Sequence, residues 1–174
     1  MTRFDITPER SVVWIHAKSS LHPIHTQTTG LEGFIETELL PNGAIDVDAT
    51  PKARLSLPVD KLSSGNPLED RELKRRIAAR RFPTIDGELT RIEQVDGEFH
   101  YTVAGQITFR GETCAYVHEM VITKVDDTTL RLTGEAMFDI RDFGMEPPHI
   151  LMLRVEPEVV VRVDIIATSE IPDA

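Results

Sequence analysis

The sequence predicts an all-β protein, an antiparallel barrel or sandwich of about eight strands with one short helix in the loop at about residues 66–81. Three observations favour this class. Apolar and polar residues alternate in many segments of similar length, turn signals separate those segments, and helix signals occur in one stretch. The length of 174 residues and the 40% hydrophobic content suit one globular domain, which we assign to residues 1–174.

The strand pattern is clearest in residues 130–141, where Leu132 and Phe138 share one face and Arg131 lies on the other. Such alternation is typical of a strand with one buried face. Turn signals separate the segments, and the Asp-Gly pair at residues 96–97 is a good hairpin turn. On this pattern we predict strands at residues 11–18, 33–40, 53–59, 85–95, 99–109, 114–124, 130–141 and 158–167.

The helix is predicted from its cap and breaker residues. Asn66 can cap the first turn, Pro67 suits the first helical position, and Pro83 is expected to end the helix. Leu73 and Ile77 are four residues apart and therefore share one face. We expect this apolar edge to lie on the barrel.

The helix region is basic, although the chain as a whole has a net charge of −10. Residues 66–82 hold six basic and three acidic residues. They could form a nucleic-acid-binding helix, an anion clamp for a ligand head group, or a solvated cover. An acidic protein repels phosphate backbones, and the stretch has no interleaved aromatic residues for stacking, so no nucleic-acid partner is predicted. We favour the solvated cover, with Arg75 and Arg76 as the alternative anion clamp.

Cysteine content and the N-terminal sequence bear on the cellular compartment. Cys114 is the single cysteine, so no intramolecular disulfide can form. The first sixteen residues, "MTRFDITPERSVVWIH", contain no apolar signal-peptide core, and no apolar run reaches membrane-spanning length. These features predict a soluble cytoplasmic protein without stable membrane insertion.

Neither a metal site nor a catalytic centre is predicted. The segment "HPIH" places His22 and His25 three residues apart, but no third ligand stands at a recognisable spacing. Cys114 has no nucleophile motif around it, and the chain has no phosphate-binding glycine loop or paired-carboxylate signature. We therefore expect no metal, no cofactor and no catalytic residues, which means that the protein is not an enzyme.

Five segments in order carry a resemblance to a known family: "ITPERSVVWI" (residues 6–15), "LSSGNPLEDRELK" (62–74), "FPTIDGEL" (82–89), "VAGQITFRGET" (103–113) and "LTGEAMFDIRDFGM" (132–145). Over nearly its whole length the chain resembles the YceI-like family of lipocalin-like, polyisoprenoid-binding proteins. The resemblance implies an antiparallel eight-stranded lipocalin-like barrel with a long apolar cavity, often in a homodimer. It also implies non-catalytic binding of an isoprenoid or other lipid-like small molecule, since the family's ligands include isoprenoid quinones and polyprenyl phosphates.

The candidate ligand-binding residues are those that alternation assigns to inward faces. Three of them are polar and are expected to orient the ligand among apolar walls: His16, Lys18 and His118. The walls are expected to come from apolar and aromatic residues of several strands: Val12, Trp14, Phe34, Leu55, Leu57, Tyr101, Val103, Tyr116, Met120, Leu132, Phe138, Val161 and Val163.

Two other functions are compatible with the same pattern. The first is a structural or interaction protein whose small barrel is filled with side chains. The second is a small-molecule enzyme that uses His16 and His118 as acid and base. The first requires an interior without a cavity, and the second requires both imidazoles to converge on one pocket.

Overall fold

The computed structural model describes residues 1–170 and consists mainly of antiparallel strands. Within that range one α-helix, α1 (Pro67–Ile77), and four 3-10 helices, at Pro8–Arg10, Val47–Ala49, Val59–Lys61 and Ile140–Phe143, connect the strands. The strands are β1 (Thr2–Ile6), β2 (Val12–Ser19), β3 (Ile24–Thr28), β4 (Glu32–Thr37), β5 (Lys52–Pro58), β6 (Thr84–Gln94), β7 (His100–Phe109), β8 (Glu112–Asp126), β9 (Thr129–Asp139), β10 (His149–Ile150) and β11 (Leu153–Thr168).

Eight strands of the described range close into one antiparallel barrel. They pair in the order β1, β4, β5, β6, β7, β8, β9 and β11. The circle closes where Asp5 and Ile6 of β1 pair with Thr168 and Ala167 of β11. Closure leaves no unpaired edge between these strands, which a flat sheet of this size would have to protect. The predicted fold, an all-β eight-stranded antiparallel barrel with one short helix, is confirmed.

β2 and β3 form a ribbon attached to the barrel wall. β2 follows β1 after the 3-10 turn and pairs with β11, and β3 pairs with the other side of β2. Each of the eight predicted strands is present, but β1, β3 and β10 were missed. β1 and β3 have five residues and β10 has two, so their side chains alternate too few times to be recognised. As a result, the barrel is closed by a strand that was not predicted.

Helix α1 begins where its cap residue predicts and ends earlier than predicted. The Asn66 side chain accepts hydrogen bonds from the backbone N–H groups of Leu68 and Glu69, at 3.0 and 3.4 Å. The helix ends at Ile77 because Ala78 adopts a left-handed conformation with φ of 56°. The predicted end at Pro83 is therefore wrong, and residues 78–83 lead back to β6.

One end of the barrel is filled around Tyr101 of β7, which is fully buried. The Tyr101 hydroxyl accepts a hydrogen bond from the backbone N–H of Ile45 at 2.8 Å, so the loop between β4 and β5 is held at this end. Apolar side chains from five other strands complete the packing: Phe4, Ile35, Ile122, Leu130, Leu132 and Ile165. Internal space can therefore exist only nearer the other end.

The opposite end is covered rather than filled. Ile77 of α1 packs in a cluster with Phe109, Phe143 and Met145. Leu73, one helical turn earlier, packs against that cluster and against a third one, formed by Ile24, Ile150, Leu153 and Val155. The expectation that the apolar edge of the helix lies on the barrel is thus correct, and the helix forms part of a roof.

Candidate functional site

A cavity of about 290 Å³ lies between the filled end and the roof. Its walls are the inward side chains of the barrel strands and of β2: Val13, Ile15, Ala17, Leu55, Leu57, Ile85, Ile107, Met120, Phe138, Val159, Val161 and Val163. Pockets for small ligands have volumes of roughly 300 Å³ upward, so this cavity suits one slender apolar molecule or part of a longer one.

The space exists because small residues stand where larger ones would fill it. Gly87 of β6, Gly134 and Ala136 of β9 and Ala17 of β2 all line the cavity. A Cβ atom added at Gly134 would lie 3.1 Å from the Met120 Cγ atom, which indicates how closely Met120 packs across that position. Larger side chains at these four positions would occupy part of the cavity volume.

The roof consists of α1 and the segment after β9. Leu73 and Ile77 of the helix and Phe143 and Met145 of the segment face the cavity. The segment is fixed to β8, since the Tyr116 hydroxyl donates a hydrogen bond to the Asp142 carboxylate at 3.0 Å. Burial and this carboxylate together raise the pKa of Tyr116 above its ordinary range, so the phenol stays protonated.

The roof is also fixed by Arg110, which occupies the turn between β7 and β8 and has a positive φ of 53°. One guanidinium N–H of Arg110 donates to the Gly144 carbonyl at 2.9 Å, and the Arg110 side chain lies over the Phe82 ring with its Cζ atom 5.9 Å from the ring centre. Hydrogen bonds from β8 and from this turn therefore hold both halves of the segment that follows β9.

Polar groups are few in the cavity. Among the described residues, no Lys or Arg lines it, and its acidic lining residues are Asp86 and Glu135. Asp86 accepts hydrogen bonds from the hydroxyls of Ser56 and Thr84, at 2.7 and 3.0 Å, and both contacts are solvent-exposed. Glu135 is itself exposed. The interior is consequently apolar except at His118 and at Thr26, whose hydroxyl donates to the Ile15 carbonyl at 3.0 Å.

His118 of β8 combines burial with an unpaired nitrogen. Its Nδ1 atom is buried and has no hydrogen-bond partner within residues 1–170. Burial lowers the pKa of His118 below the ordinary 6.5, so the ring is neutral at pH 7. A neutral imidazole has one N–H donor and one acceptor nitrogen. His118 can therefore hydrogen-bond a neutral group that enters the cavity.

Seven of the predicted site residues come together around this cavity: Leu55, Leu57, His118, Met120, Phe138, Val161 and Val163. Four others point inward without lining it. Tyr101 and Leu132 belong to the filled end, and Val103 packs against that core. Tyr116 packs against Phe138, with ring centres 4.5 Å apart, and against the roof cluster. Alternation correctly predicted that these side chains point into the barrel. It could not predict whether they line the cavity or pack against other side chains.

The inward orientation predicted for Val12, Trp14, His16 and Lys18 is wrong. The other face of β2 lines the cavity, through Val13, Ile15 and Ala17, while those four residues lie on the outer face. Trp14 is instead covered by Arg162 of β11, whose Cζ atom lies 4.4 Å from the ring centre. Both faces of β2 carry apolar residues, so alternation could not decide which of them turns inward.

His16 illustrates the consequence for the proposed acid–base pair. Its ring lies edge-on to that of His25 on β3, with ring centres 4.4 Å apart. Partial burial, and then the neighbouring His25 and Arg162, lower the pKa of His16. Because His16 lies on the outer face and His118 lines the cavity, the two imidazoles do not converge on one pocket.

Phe34 is likewise on the outer surface, contrary to prediction. The Arg3 guanidinium lies over its ring, with the Cζ atom 4.0 Å from the ring centre. The inward residues of β4 are Gly33 and Ile35, and Gly33 has no side chain that could reveal the alternation. The apolar aromatic residue was therefore assigned to the wrong face.

Several of the lining residues that sequence reasoning missed lie in the roof and on short elements. They include Ile24 and Leu31 around β3, Leu62 before the helix, Met145 and Pro148 after β9, and Ile150 on β10. Irregular segments have no periodicity that would identify an inward residue. Leu73 and Ile77 did have a signal, their four-residue spacing, which predicted contact with the barrel but not with a cavity.

In residues 1–170, no group of three or more His, Cys, Asp or Glu side chains is arranged to hold a metal ion. His22 and His25 of the "HPIH" segment therefore gain no third ligand from that part of the chain. Over the same range, no helix has the length and apolar character needed to cross a membrane.

The chain matches the sequence profile of the YceI-like domain over residues 4–167. No curated protein sequence matches it. Among solved structures, BcnA of Burkholderia cenocepacia is similar with a TM-score of 0.78 and 16% sequence identity, covering 94% of this chain and 100% of BcnA.

Two further structures share the barrel. A polyisoprenoid binding domain from Saccharophagus degradans, implicated in plant cell wall breakdown, has a TM-score of 0.78 and 10% identity, covering 98% of this chain and 100% of that domain. The YCEI protein of Campylobacter jejuni has a TM-score of 0.62 and 12% identity, covering 81% of each chain. At these identities the likeness establishes the fold.

Proposed function

The chain belongs to the YceI-like domain family, and on this premise we propose that it binds and carries an isoprenoid or other lipid-like amphipathic molecule in the barrel cavity, without catalysing a reaction on it. The observation that carries the proposal is the apolar cavity of about 290 Å³, roofed by α1 and the segment after β9. The likeness to a polyisoprenoid binding domain supports the same class of ligand.

The cavity walls match the chemistry of a prenyl or alkyl chain. Each CH₂ group removed from water contributes about 0.8 kcal/mol to binding, so a chain of several such groups needs no strong polar contact. The absence of lysine and arginine from the lining residues of the described range argues against an ionised phosphate inside, since an unpaired buried charge is strongly unfavourable. A charged head group would have to stay outside the roof.

His118 supplies the polar contact in this proposal. Its position on β8, between the roof residue Tyr116 and the wall residue Met120, is deep enough to meet the enclosed part of a ligand. A hydroxyl or carbonyl group there would pair the imidazole, which otherwise has a buried unpaired nitrogen. Pairing a buried polar group removes a penalty of about 1–3 kcal/mol. We therefore infer a ligand with one neutral polar group.

A carrier role is supported over the two rival functions. In a fully packed structural barrel, side chains fill the interior. The end of this barrel around Tyr101 is packed in that way, but four small wall residues leave a cavity in the other part. The acid–base alternative lacks its pair, because His16 and His118 lie on opposite faces of the wall. The anion-clamp residues Arg75 and Arg76 both bind the Glu72 carboxylate, at 2.9 and 3.1 Å, and are exposed. This favours the solvated cover.

Neighbouring residues of β9 offer a matched test. Ala136 lines the cavity, whereas Met137 is 61% exposed on the outer face. Ala136→Trp should fill the cavity and raise the dissociation constants of a fluorescent alkyl probe and of geranylgeraniol, which displaces it, by about tenfold or more. Met137→Trp adds the same side chain on the outer face and should leave both dissociation constants unchanged. Equal dissociation constants for the two variants would contradict binding in the cavity.

A further inference from the structure

Three exposed hydrophobic residues cluster at one end of the molecule, and we call them the apolar tip. Leu21 lies in the turn between β2 and β3, and Leu151 and Met152 form the turn between β10 and β11. Their exposed fractions are 78%, 53% and 92%. The two turns are neighbours, because the backbone N–H of Ser20 donates to the Arg154 carbonyl at 2.9 Å.

The backbone at the apolar tip is unusual for such residues. Leu151 has a positive φ of 57°, in the left-handed region that bulky side chains rarely occupy. A glycine or asparagine would relieve this strain and would also remove apolar surface. This position instead holds a leucine, and the methionine that follows it is almost entirely exposed to solvent. Scattered exposed hydrophobic residues need no explanation, but adjacent ones on two turns indicate an interaction surface.

The charge around the apolar tip differs from that of the rest of the chain. Asp and Glu number 29 in the whole sequence, yet residues 11–31 and 147–155 contain none. Within these two stretches the basic residues are Lys18 and Arg154, accompanied by four histidines, His16, His22, His25 and His149. By contrast, exposed Met137 on the barrel side is flanked by Glu135 and Asp139. Positive charge and exposed apolar surface therefore coincide at one end of an acidic protein.

Helix α1 extends this basic region. Leu73 of the helix packs against Ile24, Ile150 and Leu153, which belong to the same two hairpins as the apolar tip. Arg71 and Lys74 are on that helix, and neither they nor Lys18 and Arg154 form an ion pair with another residue in 1–170. Lys18 and Arg154 thus belong to the two hairpins of the apolar tip, and Arg71 and Lys74 to the helix that packs against those hairpins.

We propose that this end of the barrel docks peripherally on an anionic lipid bilayer. The side chains of Leu21, Leu151 and Met152 would enter the head-group region, while Lys18, Arg154 and the α1 cations would face anionic lipid head groups. Apolar burial and electrostatic attraction act together in such binding. Because Ile24 and Ile150 of the same hairpins line the cavity, docking would bring the roofed end to the membrane.

The direct test is sedimentation with vesicles. Protein freed of any bound lipid should sediment with vesicles of equimolar phosphatidylglycerol and phosphatidylcholine, less with phosphatidylcholine alone, and less as salt is added. Failure to sediment with the anionic vesicles overturns the proposal. The Ala136→Trp variant, with its cavity filled, should dock unchanged, so docking can succeed or fail separately from ligand binding in the cavity.

Substitutions locate the surface. Leu21→Ser with Leu151→Asn and Met152→Ser should weaken vesicle binding about tenfold or more. The control, Val117→Ser with Met137→Ser, removes exposed apolar residues from the barrel side and should have no effect. Equal loss in both variants, or a triple variant that changes the oligomeric state but not vesicle binding, overturns the proposal. Lys18→Gln with Arg154→Gln should also weaken vesicle binding, with the apolar residues intact. If the triple variant misfolds, this double variant is the deciding test, and unchanged vesicle binding overturns the proposal.

Discussion

The phenol oxygen of Tyr101 accepts a hydrogen bond from the backbone N–H of Ile45 at 2.8 Å, inside the packed end of the barrel. Tyr101 is fully buried and Ile45 is 3% exposed, so both groups of this hydrogen bond are shielded from solvent. The contact joins β7 to the loop between β4 and β5. It makes one end of the barrel a closed floor beneath the cavity.

Removing this hydroxyl should destabilise the fold. Tyr101→Phe leaves the buried Ile45 N–H unpaired and should lower the free energy of unfolding by about 1–3 kcal/mol, measured by urea denaturation. Tyr116→Phe is the matched control, since its acceptor, Asp142, is exposed and water can replace the phenol. An equal loss in both variants would show that burial of the Tyr101–Ile45 contact does not matter.

The roof helix should control how long a ligand stays bound. Leu73→Ala and Ile77→Ala remove side chains that cover the cavity, and the double variant should release a fluorescent alkyl probe faster by at least about fivefold, since affinity changes appear mainly in the dissociation rate. Leu68→Ala, on the same helix but 63% exposed, provides the control. Equal stopped-flow release rates for the double variant and the Leu68→Ala control would contradict the roof assignment.

His118 should distinguish ligands by the neutral group that they carry. His118→Phe keeps an aromatic ring of similar size but cannot hydrogen-bond, so affinity for geranylgeraniol should fall by about fivefold to tenfold while affinity for the hydrocarbon analogue is retained or improved. Without ligand, the same variant should be as stable as the parent or more stable, because it removes an unpaired buried nitrogen. Parallel loss for both ligands would assign His118 a packing role alone.

Stability should fall as the pH is lowered below about 6.5. Burial lowers the pKa of His118, and burial together with His25 and Arg162 lowers that of His16. Both imidazoles therefore take up protons at lower pH in the folded protein than in the unfolded chain, which takes them up as pH falls through the ordinary pKa of 6.5. The unfolded state then binds more protons, so the free energy of unfolding decreases with decreasing pH in this window and levels off above it.

The histidine contribution can be separated from that of the carboxylates. Asp126, Asp139 and Asp164 have pKa values lowered from 3.8 by hydrogen bonds, so their stabilisation is lost only below that pH. Urea denaturation between pH 5 and pH 8 should therefore give a smaller slope for His118→Phe, and a smaller one still when His16→Gln is added. An unchanged slope in the double variant would refute the assignment.

Sequence predicted the fold well where one face of a strand is mainly polar. On β9, Arg131 and Glu135 alternate with Leu132 and Phe138, and only one orientation buries the apolar set. The same logic failed for β2, where Trp14 is apolar but is covered outside by Arg162, a contact between strands distant in sequence. The strands that pair with such a strand determine which of its faces turns inward. Alternation within the one segment does not identify those partner strands.

The site was less predictable than the fold for a related reason. Tyr101 and Ile107 lie on the same face of β7, yet the first is packed at the floor and the second lines the cavity. The difference depends on which small residues face them, such as Gly87 and Gly134. The roof depends on Ala78 ending the helix early, which its sequence does not signal. A cytoplasmic location and a homodimer stay predictions.

The most direct test of the central claim is to identify what the purified protein carries. Native mass spectrometry of the parent protein, followed by organic-solvent extraction, should reveal one isoprenoid or lipid-like molecule per chain, with a neutral hydroxyl or carbonyl group and no phosphate. The Ala136→Trp variant should carry none, and Met137→Trp should carry the same molecule as the parent. A ligand-free parent that also fails to take up geranylgeraniol, or a bound lipid retained by Ala136→Trp, would contradict a carrier that holds its ligand in the barrel.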